Sequence, residues 1–89
     1  MPRYLVQRTF PDGFPLPLIA ASAACLAIIA RNADLGVTWL QSYLSDDQQT
    51  MVCLYEGPNP EAIRKASARN GLPIDVITQV SVLDPYGYR

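Results

Sequence analysis

The chain has 89 residues, which sets one domain over residues 1–89, close to the lower size at which a single core suffices, so a second copy is an expected partner. Seven basic and eight acidic residues leave a formal net charge of -1. That balance supplies no electropositive field for a phosphate backbone and argues against nucleic acid binding. The chain contains no histidine, which removes the usual general base and the usual transition-metal ligand.

In chain order, residues 3–10 (RYLVQRTF) alternate, are rich in strand formers and end at the turn residues PDG, which predicts a first strand. Residues 18–32 form an alanine-rich run of good helix propensity, with Arg31 near its end and Gly36 as a stop. Its apolar part, LIAASAACLAIIA, has Ser22 as the one polar side chain. Asp12 and three prolines interrupt the approach that an export signal needs, and the run is shorter than the roughly 20 residues of a membrane span. It reads as a helix covered on more than one side, by the sheet and by a neighbouring element or subunit. With no export signal, Cys25 and Cys53 read as reduced thiols in a cytoplasm.

Residues 37–44 and 50–56 are two further strand patterns joined by SDDQQ, a polar linker of hairpin length, and should pair antiparallel. In GPNPEAIRKASARNG, Asn59 is a candidate N-cap, Pro60 suits the first helical position, Glu61 and Lys65 are spaced i,i+4, and Gly71 suits a left-handed C-terminal position. Ile63 and Ala66 give this second helix a narrow apolar stripe. Residues 75–83 predict a fourth strand, closed by Asp84 and Pro85. The order βαββαβ predicts an α+β, ferredoxin-like domain, a four-stranded antiparallel sheet with both helices on one face.

Alternation divides each strand between two faces. Leu5, Leu40, Leu44, Val52, Leu54, Val80 and Val82 form the expected helix-side core. The other parity collects Tyr4, Val6, Arg8, Phe10, Val37, Trp39, Gln41, Tyr43, Met51, Cys53, Tyr55, Gln79 and Ser81, a face too aromatic to leave in water. Two such faces meeting in a homodimer would make an α/β barrel with a cavity. Its expected ligand-binding residues are Tyr4, Arg8, Trp39, Gln41, Tyr43 and Tyr55. An enclosed Arg8 would hold an anionic group of a ligand, or pair with Glu56 or a partner's carboxylate. Cys53, on the same parity, is the candidate metal ligand, while Cys25 reads as a small core residue. Asp46 and Asp47 read as a solvated turn. No Gly-rich phosphate loop, CxxC, or Ser, His and Asp set is present.

The runs GVTWLQSYLSDD, CLYEGPNPEAIRKASARNGLP and ITQVSVLDPY resemble the small bacterial nickel-binding proteins, a ferredoxin-like group, and the likeness extends from MPRYLVQRTFP over nearly the whole chain. The resemblance implies a dimeric α/β barrel and divalent nickel as a bound metal. The family commonly has a histidine where this chain has Gln41, and another where it has Ala66. An amide is a much poorer nickel ligand than an imidazole. The expected function is therefore a cytoplasmic homodimer that binds nickel or a small ligand. Two alternatives stand beside it: a dimeric-barrel enzyme that isomerises or cyclises an apolar substrate, and a structural interaction module.

Overall fold

A computed structural model describes residues 1–15 and 22–87. The element order is β1 (Arg3–Thr9), α1 (Ala23–Ala33), β2 (Thr38–Leu44), β3 (Thr50–Glu56), α2 (Pro60–Arg69) and β4 (Val76–Val80), as the sequence predicts. The four strands form one antiparallel sheet in the order β2-β3-β1-β4.

Local chemistry sets the helix ends. The Ser22 hydroxyl accepts from the Cys25 N–H at 3.3 Å and opens α1, while positions 18–21 of the predicted helix lie outside the described residues. Asn59 caps α2 by accepting from the Ala62 N–H at 2.9 Å, with Pro60 beside it. At the other end Leu72 N–H donates to the Ser67 carbonyl and Gly71 N–H to that of Ala68, with Gly71 at φ +69°. This paired closure needs the left-handed conformation that glycine takes without steric cost. The β2–β3 turn is closed by Asp47, whose carboxylate accepts from the Ser45 hydroxyl and the Gln49 N–H, so it is the solvated turn that was expected. β4 stops at Val80 because its partner β1 starts at the opposing Arg3, just after Pro2, so 81–83 carry on unpaired.

The face assignment is inverted relative to the sequence reading. The residues packed under α2 are Tyr4, Val6, Arg8, Phe10, Met51, Cys53 and Tyr55, together with Val37, against Ala62, Ile63 and Ala66. Leu5 and Leu40, expected in the core, are more than a third exposed, and Val52, Leu54 and Val80 share the uncovered face with Leu5. The cause lies in α2, which turns mainly small residues to the sheet: Ala62, Ala66 and Ser67 beside Ile63. A helix face of that volume leaves space that valine and leucine would not fill, and long side chains fill it. Leu44 keeps its predicted side and packs on the core, while Val82 lies beyond the end of β4.

A bulge at Leu40 adds a second correction. Trp39 stands opposite Tyr55 and Gln41 opposite Leu54, so the strand gains one residue between them and its alternation slips. Trp39 therefore lies on the helix side, and Gln41 and Tyr43 on the uncovered side. The sheet register gives three rows under the helices: Trp39–Tyr55–Tyr4–Gln79, Ser42–Cys53–Val6–Ile77 and Leu44–Met51–Arg8.

Candidate functional site

Within those rows Arg8 and Tyr55 are both long, and they meet above the middle row of Cys53 and Val6. Arg8 is fully buried. Its Nη2 donates to the Tyr55 hydroxyl at 2.9 Å and to the Ser67 hydroxyl at 3.0 Å, and its Nη1 donates to the Pro73 carbonyl at 2.8 Å. The guanidinium carbon also lies 5.9 Å from the centroid of the Tyr55 ring. One side chain thus ties β1 to β3, to α2 and to the α2–β4 loop. Its Nε is buried and has no hydrogen-bond partner among the described residues.

A second polar string runs from the edge of the sheet toward the same place. The Trp39 indole N–H donates to the Ser42 hydroxyl at 2.7 Å, and that hydroxyl lies 2.9 Å from the Cys53 sulfur. Cys53 in turn neighbours Tyr55. Burial, then the adjacent Cys53, pushes the Tyr55 phenol up to about 12, against the opposing pull of Arg8. Tyr55 is therefore neutral at physiological pH and provides no counter-charge to Arg8.

The predicted site residues separate into two groups. Tyr4, Arg8, Trp39, Tyr55 and Cys53 come together on the helix side, whereas Gln41 and Tyr43 face the opposite way. A single cavity on the uncovered face lined by all of them is thus ruled out by the register. The expected pairing of Arg8 with Glu56 is also replaced, since Glu56 binds Arg3 at 3.2 Å. Ser42, Ser67 and Pro73 were not singled out from the sequence; the polar content of the α2 stripe at Ser67 was the available signal. No disulfide joins Cys25 and Cys53. A shallow cleft of about 340 Å³, lined by Met1–Arg3 and 79–82, lies away from the cluster at the end of β4.

Residues 4–80 match the family model described as "Nickel responsive protein SCO4226-like". The chain belongs to this family. Among solved structures it is similar to SCO4226 from Streptomyces coelicolor A3(2), with a TM-score of 0.73 and 23% identity over 92% of this chain and 99% of that one. At that identity the likeness establishes the shared fold. No curated protein matches.

The family description raises the question of whether these residues suit nickel. They do not. Among the described residues no three His, Cys, Asp or Glu side chains converge, and the chain has no histidine. Residues 16–21 and 88–89, LPLIAA and YR, hold none of these types either. Cys53 is enclosed, its sulfur lies beside Ser42, and among the described residues it belongs to no group of three such side chains.

Proposed function

We propose that the chain is a ferredoxin-like domain that works as a homodimer, its two uncovered sheet faces meeting as an α/β barrel that holds a small organic ligand. The observation that carries this reading is the uncovered face itself. Its rows read Gln41–Leu54–Leu5–Thr78 and Tyr43–Val52–Gln7–Val76, flanked by the Arg3–Glu56 ion pair opposite Val80. Tyr43 is 63% and Val76 51% exposed, and neither helix covers them. A sheet face that leaves Leu5, Tyr43 and Val76 exposed is costly in water, and a two-fold copy of the same face covers it with matching chemistry. Gln7, Gln41, Thr78 and the Tyr43 hydroxyl would then be the polar groups of a mostly apolar space, the usual composition of a small-molecule site.

Family membership also raises nickel bound through Cys53. The donor set argues for an organic ligand instead. Native mass spectrometry of the purified protein, with and without added nickel, tests both parts. The expected result is a dimer with no stoichiometric metal. A monomer would remove the barrel, and nickel that is retained by the wild type but lost in Cys53→Ala would replace the organic ligand with a metal.

A further inference from the structure

The buried Arg8 poses a problem of charge that the described residues do not solve. A guanidinium is a permanent cation, and enclosing it without a counter-charge is strongly unfavourable. The chain has eight acidic residues, and none pairs with Arg8. Glu56 pairs with Arg3 and Asp34 with Arg69. Asp75 accepts from the Thr9 hydroxyl, Asp47 closes the β2–β3 turn, and Asp84 accepts from the Tyr86 N–H. Asp12, Asp46 and Glu61 are exposed. The three acceptors that Arg8 does have, two hydroxyls and a carbonyl, are neutral.

Donors are correspondingly in excess. Arg8 has five N–H groups and, among the described residues, three bonds; its Nε–H is shut away from solvent with no acceptor among them. The Ser67 hydroxyl, which accepts from Arg8, retains its own proton to donate. A second copy of the chain docked on the uncovered face cannot deliver a carboxylate here, because Arg8 is on the other side of the sheet.

We propose that each protomer binds a small planar oxyanion, of the carboxylate class, beneath α2, where it accepts from Arg8 Nε–H and the Ser67 hydroxyl and supplies the missing negative charge. Two oxygens answer two donors, which favours a carboxylate over a single-centred halide. Arg8 and Ser67 are both buried, so the ligand has only a few heavy atoms. Because one chain builds it, this site is independent of the dimer and of the inter-sheet ligand.

The test is a titration of the intact protein with sodium formate, following the arginine side-chain Nε–H signals by NMR, with sodium chloride at matched ionic strength as the reference. The Arg8 signal is assigned by its loss in Arg8→Lys, or by its perturbation in Ser67→Ala. Formate should move the Arg8 signal saturably while the other arginines respond only as they do to chloride. Ser67→Ala, which keeps the charge but removes one donor, should weaken formate about tenfold. An Arg8 signal that stays fixed, that moves equally with chloride, or that is indifferent to Ser67→Ala would overturn the site. The oligomeric state is read separately, so a dimer without an anion, or an anion without a dimer, tells the two proposals apart.

Discussion

Tyr55 links the end of β3 to Arg8 on β1, and its phenol is held neutral by burial first and by Cys53 second. The ordinary phenol value is 10.0 and the folded value about 12, so the folded state favours the protonated form. The stability this provides is complete below pH 10 and is lost as pH rises from there toward 12. Unfolding by urea across this range should show a falling free energy in the wild type. Tyr55→Phe should cost about 1.5–3 kcal/mol at neutral pH, the range for a hydrogen bond to a charged group, and should flatten the alkaline decline. A variant with the same alkaline slope as the wild type would assign that decline to other groups. At this scale the sequence marked Tyr4, Arg8, Trp39, Gln41, Tyr43, Cys53 and Tyr55 as one face that a plain core would not choose; five of them are gathered together, and Gln41 and Tyr43 are turned away by the bulge. Ser67 and the Pro73 carbonyl were not legible, because a serine on a helix and a loop carbonyl acquire meaning only when a guanidinium arrives from another element.

Among the elements, α2 was the most fully written in local sequence. Asn59, Pro60 and Gly71 occupy the positions their chemistry suits, since each acts on backbone groups within three or four residues. Asn59→Ala should lower stability by about 1 kcal/mol through the lost cap. Gly71→Ala should cost a similar amount, about 1 kcal/mol, because its φ of +69° is strained for any side chain even though a methyl group there meets nothing within 4 Å. Urea midpoints with an unchanged denaturant slope would check both, and an unaltered midpoint in either variant would show the cap to be dispensable. β2 was less legible. Its alternation reads as one unbroken strand, and the bulge at Leu40 is visible only in its pairing with β3. α1 buries Ile28 and Asn32 and leaves Leu26 and Ile29 about half exposed, so its described part is covered on one side. Asn32 fastens it to α2 by accepting from the Asn70 side chain at 3.0 Å.

For the whole molecule, the sheet divides the protein into a packed side and an uncovered one, and the proposed dimer belongs to the uncovered side. Leu54→Asp places a charge in the middle of that face, between Gln41 and Leu5 in the register. If a second copy covers it, the variant should be monomeric by light scattering while its far-ultraviolet circular dichroism stays that of the wild type. A variant that remains dimeric would move the interface elsewhere, and one that unfolds would show Leu54 to be core. Among the described residues no helix is long and apolar enough to cross a membrane.

By itself the sequence determined the number, type and order of the elements, because caps, turns and alternation are short-range and each can be satisfied within a few residues. It also singled out Tyr4, Arg8, Trp39, Cys53 and Tyr55, which cluster under the helices, though it grouped Gln41 and Tyr43 with them. Only the tertiary structure decided which face of the sheet those residues occupy. Apolarity favoured the leucines for the core, but the choice rests on volume: a helix presenting Ala62, Ala66 and Ser67 needs tyrosines, a methionine and an arginine beneath it. That is a property of two surfaces in contact, and neither strand nor helix contains it alone.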